Sequence, residues 1–198
     1  GPPGTGKTYT IARAVRAMVE RGERVLLSAF TNRAVDNALE ALRDQGFEDI
    51  VRVGTKSGVR EDMRDLLLDE RADPDDPDDS PEGRAAELED APVVAATTAT
   101  CGSRVMSEQS FDAAVVDEAS QLTEPNTLAA INLADRFVLV GDHHQLPPVV
   151  RSETELSTSL FERMIDEYPE ASVMLDRQYR MAQRIQAFSS REFYDGAL

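Results

Sequence analysis

The chain opens on Gly1–Thr8, GPPGTGKT, and this stretch decides the fold. It meets the pattern GxxxxGK[ST] with Gly1, Gly6, Lys7 and Thr8, which a random chain of this length matches only about once in a hundred. Glycines let backbone N–H groups approach phosphate oxygens, and a helix starting at once adds the positive end of its dipole. On that reading Gly1, Pro2, Pro3, Gly4, Thr5 and Gly6 form the cradle. Lys7 reaches the β and γ phosphates of a nucleotide, and Thr8 ligates Mg2+. The bland alternative is a glycine-rich turn. A phosphate loop follows a β-strand, and no strand stands ahead of Gly1, so the expectation is a piece of a longer polypeptide whose first strand is missing.

Downstream, helical and strand patterns alternate. Lys7 to Arg21 reads as a helix through Ile11, Ala14, Val15, Met18 and Val19, stopped by Gly22. Arg24–Ala29 is a short apolar strand, Asn32–Gln45 a second helix ending at Gly46, and Ile50–Val53 another strand. Buried-strand runs return at Val93–Ala96, Ala113–Val116 and Phe137–Val140. The outcome is an α/β fold, a parallel sheet with helices on both faces. Past Pro148 the expectations are a linker, a helix from about Ser157 to Glu167, a strand at Ser172–Leu175 and a helix from about Met181 to Phe193. The division is therefore a phosphate-loop domain at 1–150, carrying an insertion at about 55–90, and the start of a second domain at 151–198.

That insertion holds most of the charge. The chain of 198 residues carries 37 acidic and 21 basic side chains, a net of −16. From Glu61 to Asp90 there are fourteen acids and three arginines, a net of −11, leaving −5 for the rest. A helix is predicted at Arg60–Arg71, followed by ADPDDPDDSPEG, whose prolines and like charges read as a loop that joins no core. Overall acidity ordinarily argues against a phosphate partner. With only Lys7 and Lys56 as lysines, it suits a protein of a salt-loving organism, or else marks one acidic insertion. The single cysteine, Cys101, excludes a disulfide framework and reads as a structural thiol in a cytoplasmic setting. No apolar run is long enough to cross a bilayer, so no membrane partner is expected.

A Mg-nucleotide site needs a carboxylate where a buried strand ends at the ligand edge of the sheet. AAVVDEAS supplies Asp117 for the metal shell and Glu118 to accept a proton from the attacking water, unless the pair is only a solvated strand end. FVLVGDHHQLPP offers Gln145 after the turn at Gly141, to orient a water or sense the γ phosphate; VVAATTAT ends a strand with Thr97, Thr98 and Thr100. A plain turn and β-favouring threonines are the alternatives. His143 and His144 stand without partners at zinc-ligand spacing and read as loop residues.

In order, GPPGTGKT, SAFTNRAVDN, VVAATTATCG, VVDEASQ, VGDHHQLPP and LDRQYRM resemble motifs I, Ia, Ic, II, III and IV of superfamily 1B helicases. The resemblance covers nearly the whole chain except the acidic insertion. DEASQ, GDHHQLPP and EFYDGAL look closest to the nuclease-helicase group that trims Okazaki flaps, which favours DNA over RNA. The resemblance implies a RecA-like fold and ATP hydrolysis coupled to 5′ to 3′ movement on single-stranded DNA, with RNA as the alternative. It further implies that Gln145 couples the γ phosphate to domain closure, that Arg180 is an arginine finger and that Tyr179 stacks on adenine. Thr31, Asn32, Thr97 and Thr98 would touch the nucleic-acid backbone. A GTP switch needs an NKxD segment, whereas the only lysine after the loop, Lys56, is followed by Ser57 and Gly58. A small-molecule kinase would not require QYRM or GDHHQLPP.

Overall fold

A computed structural model describes residues 2, 4–70, 80–144, 159–194 and 196. Five parallel strands form one sheet in the order β2-β3-β1-β4-β5: β1 (Val25–Ala29), β2 (Ile50–Arg52), β3 (Val93–Thr97), β4 (Phe111–Asp117) and β5 (Ala134–Leu139). Both faces are covered, which is why β1 and β3 are buried at every position rather than alternating. Val25, Leu27 and Ala29 face one way, toward Ile11 and Val15 of α1 (Lys7–Val19) and Val35 and Leu39 of α2 (Asn32–Arg43). Leu26, Ala114 and Val116 face the other, toward Met106, Leu122 and Ile131. That second layer includes α3 (Pro81–Asp90), α4 (Thr98–Cys101), α5 (Arg104–Ser107), α6 (Glu124–Ile131) and α7 (Leu160–Glu167). The last helix is α8 (Gln183–Phe193). This is the RecA-like α/β architecture. No helix among the described residues is long and apolar enough to cross a membrane.

Register places the working edge. Ala29 of β1 pairs with Thr97 on one side and Asp117 on the other, and Val116 pairs with Leu139. The carboxyl ends of four strands therefore stand in a row, where ligands bind in open parallel sheets.

The structure departs from the sequence reading in four places. First, the described part of the expected Arg60–Arg71 helix, residues 60–70, is no α-helix but two 3-10 turns, Glu61–Leu66 and Leu68–Glu70, and it is packed: Val59, Met63, Leu66 and Leu67 are buried against the α1/α2 layer. Second, the latter part of the expected loop is α3, capped by the Ser80 hydroxyl accepting from the Gly83 N–H and pinned by buried Leu88; the aspartate-rich residues 71–79 lie outside the described ones. Third, β5 starts at Ala134, and its Phe137 and Val138 are exposed because it ends the sheet order, with no strand beyond it among the described residues. Fourth, Ser172–Leu175 is not a strand, since nothing in the described sheet pairs with it.

Candidate nucleotide site

Gly4 and Gly6 both hold left-handed backbone, φ 76° and 80°, so the chain turns sharply into α1. Gly6 is the N-cap of α1 and has no side chain that could cap the first turn, the end of a helix that attracts an anion. Thr5 Oγ1 donates to the Pro2 carbonyl at 2.7 Å, and Lys7 Nζ donates to the same oxygen at 3.1 Å. Gly1 and Pro3 lie outside the described residues, as does Gln145.

Across from the loop, buried Asp117 ends β4, its Oδ1 accepting the Glu118 N–H at 2.8 Å. Glu118 has φ 55°, left-handed and strained for a residue with a Cβ. Burial raises the pKa of both carboxyls; for Glu118 the Asp117 charge pushes the same way, and a hydrogen bond from Thr31 opposes it. Burial lowers the Lys7 pKa, while Asp142 and Asp117 pull it back up.

Asp142, which the sequence reading passed over for Gln145, is part of this wall. It is 4% exposed; its N–H donates to Ser120 Oγ at 3.1 Å, and its Oδ2 accepts from Tyr194 Oη at 2.8 Å. Gly141 makes the placement achievable, since a Cβ there would stand 2.9 Å from the Ser120 nitrogen. The only sequence signal for Asp142 was its place directly after a strand-ending glycine.

The chain then returns to the loop from its far end. Gln178 folds the QYRM turn, its Oε1 accepting the Arg180 and Met181 N–H groups and its Nε2 donating to the Met181 carbonyl at 2.8 Å. That turn docks on the phosphate loop, with the Tyr179 N–H donating to the Gly4 carbonyl at 2.8 Å. A Cβ at Gly4 would stand 2.6 Å from Arg180 Cβ, so glycine is required there for space as well as for conformation.

One cleft of about 590 Å³ results, lined by Gly4, Lys7, Thr8, Asp117, Glu118, Asp142, Tyr179 and Arg180 among others. The Thr8 hydroxyl and the Asp117 carboxylate, both lining the cleft, are the hard oxygen donors that Mg2+ takes, and the glycine loop is shaped for phosphate. The residues fit Mg-nucleotide.

The expected nucleic-acid contacts are divided. Thr31 is exposed and half-buried Asn32 stands beside it at the start of α2, although Thr31 Oγ1 accepts the Ala34 N–H and Asn32 Oδ1 accepts from Arg52. Thr97 and Thr98 are 7% and 2% exposed, and Thr97 Oγ1 caps α4 through the Thr100 N–H, so they offer little surface to a strand here.

An AAA-domain family profile matches residues 1–79 and 78–153, and a second AAA-domain profile matches residues 156–198. Over its full length the chain is 38% identical to the DNA replication ATP-dependent helicase/nuclease JHS1 of Arabidopsis thaliana, of which it spans 15%. It is likewise 37% identical to the DNA replication ATP-dependent helicase/nuclease dna2 of Schizosaccharomyces pombe, of which it spans 14%. Among solved structures, arterivirus nonstructural protein 10 (helicase) in complex with DNA shares the fold, with a TM-score of 0.52 and 22% identity over 82% of this chain and 32% of that one. These relatives agree with the resemblance read from the motifs.

Proposed function

The chain belongs to the AAA-domain family and is homologous to the replication helicase/nucleases, and from that premise we propose that it is the ATP-hydrolysing part of a motor that moves 5′ to 3′ on single-stranded DNA. The observation that carries this is the convergence of the phosphate loop, Asp117–Glu118 and Arg180 on one cleft. Lys7 and the N–H groups at the start of α1 bind the phosphates, and Thr8 with Asp117 would hold Mg2+, which when bound neutralises charge on the phosphoryl oxygens. Glu118 accepts the proton of the attacking water, and its raised pKa brings its basicity toward what a base at neutral pH needs. Arg180 presents a guanidinium to the same cleft from the far end of the sequence, and Tyr179 beside it offers an exposed ring to adenine. Gln145 keeps the coupling role the resemblance implies.

We assign the single strand to Thr31 and Asn32 at the sheet edge, where hydrogen bonds rather than net charge make the contact; Thr97 and Thr98 support that edge through α4. Residues 151–198 are the start of a second domain in this reading, and a cytoplasmic setting goes with it.

The test uses the full-length parent protein. ATP hydrolysis should rise with single-stranded DNA and vanish in Lys7→Ala, and strands should separate when the duplex carries a 5′ tail. Hydrolysis indifferent to nucleic acid would refute the motor reading, and stimulation by RNA alone would reassign the substrate.

A further inference from the structure

Helix α8 bears exposed Phe188 and Phe193, yet the residue directly after it, Tyr194, is 8% exposed. Its hydroxyl reaches back across 52 positions to Asp142 Oδ2, at 2.8 Å, and its ring meets the His144 ring edge-on with centroids 5.2 Å apart. Asp142 is in turn fixed on its other sides: Oδ1 accepts the His144 N–H at 3.2 Å, and its own N–H is held by Ser120, three residues past Asp117. After burial, Asp142 is the foremost charge acting on Lys7. Burial and the adjacent carboxylate keep the phenol protonated, so it always donates.

We propose that Tyr194 is a positioning residue for ATP hydrolysis: its hydroxyl sets the orientation of Asp142 in the cleft wall beside Lys7 and thereby fastens α8 to the nucleotide site. The geometry gives this bond two consequences. Asp142 Oδ1 accepts from the backbone of its own loop and Oδ2 accepts from Tyr194, so losing the phenol removes one of the hydrogen bonds that orient the carboxylate. The same bond, with the edge-on ring, holds the end of α8. A change in Asp142 as the cleft fills is thereby transmitted to α8, and displacement of α8 is transmitted to Lys7. The inference rests on the nucleotide-hydrolysing reading of the cleft.

Tyr194→Phe in the full-length parent removes one oxygen and leaves the ring. ATP hydrolysis in the presence of single-stranded DNA should lose about ten-fold in kcat, as expected for one hydrogen bond to a charged acceptor, with KM for ATP little changed. In an Asp142→Asn background, Tyr194→Phe should add nothing to the loss in kcat. Amide hydrogen exchange in nucleotide-free protein should show residues 183–194 exchanging faster in Tyr194→Phe, in Asp142→Asn and, no further, in the double variant. Parental kcat in Tyr194→Phe, additive losses in the double variant, or unchanged exchange in α8 would each overturn the inference. A parent that hydrolyses no ATP would instead overturn the reading beneath it.

Discussion

Replacing Glu118 by glutamine separates water activation from every other property of the cleft. Glutamine has the same length and branching, so the left-handed backbone at φ 55° is as strained in the variant as in the parent. It retains an oxygen for the Thr31 hydrogen bond. What it lacks is basicity. A positioned general base contributes about 10²–10⁴ in rate, or about 3–5 kcal/mol on the barrier. Steady-state hydrolysis should fall by that factor, while titration with a fluorescent nucleotide should give parental affinity, because Lys7, Thr8 and the glycine loop are untouched.

Stability should move the other way. Burial, with Asp117 adding to it, raises the Glu118 pKa in the folded chain. Such a carboxyl favours the protonated form on folding, so stability declines as pH climbs from the ordinary glutamate value to the raised one. In metal- and nucleotide-free protein, thermal melts of variant and parent should coincide at acid pH, and the variant should melt higher at pH 7. A Glu118→Gln protein that hydrolysed ATP at the parental rate would refute the proton-acceptor role, and a lower melting temperature at pH 7 would refute the burial argument.

Three further outcomes follow from the same structure. Arg180→Ala should lower the hydrolysis rate more than nucleotide affinity, because in the proposed role its guanidinium acts mainly in the transition state; equal losses in titration and turnover would make it a ground-state contact. Asp36→Ala should cost about 3–5 kcal/mol in urea unfolding, since it strips a fully buried Arg52 of its ionic partner and the Arg60 N–H of its acceptor, whereas Asp65→Ala, breaking an exposed pair with Arg43, should cost under about 1 kcal/mol. Changing Asp73, Asp75, Asp76, Asp78 and Asp79 to asparagine should strengthen single-strand binding at low salt by removing five negative charges; in molar salt, where screening acts over about 3 Å, the two proteins should bind alike.

How much of this the sequence discloses depends on whether a feature is local. The phosphate loop, the apolar runs of β1, β3 and β4, and the Asp117–Glu118 pair are consecutive residues, and each carries its own signature. The packing of Val59, Met63, Leu66 and Leu67 has no local signature because 3-10 turns place apolar residues at a spacing that matches neither helix nor strand, amid acids that suggest a solvated loop. Helix α3 was hidden for a related reason, since a strongly acidic segment with few apolar residues reads as loop unless its cap at Ser80 is noticed. Phe137 and Val138 look like core in the sequence, and only the sheet order reveals that β5 is an edge. Asp142 has only its place after a strand-ending glycine as a local signal, and Tyr194 has none. Their significance lies in a contact between distant segments, licensed by the close approach of Gly141 to Ser120.

The loop at residues 4–8, the strand end at Asp117–Glu118 and the turn at Arg180 line one cleft, and in the proposed function they serve one nucleotide. A crystal structure of the parent with Mg-ADP and aluminium fluoride tests it most directly. The β phosphate should lie against the N–H groups of Gly6, Lys7 and Thr8, the metal between Thr8 and Asp117, and the fluoride group between Glu118 and Arg180. A nucleotide bound elsewhere, or one leaving Glu118 and Arg180 on opposite sides of the protein from the fluoride, would contradict it.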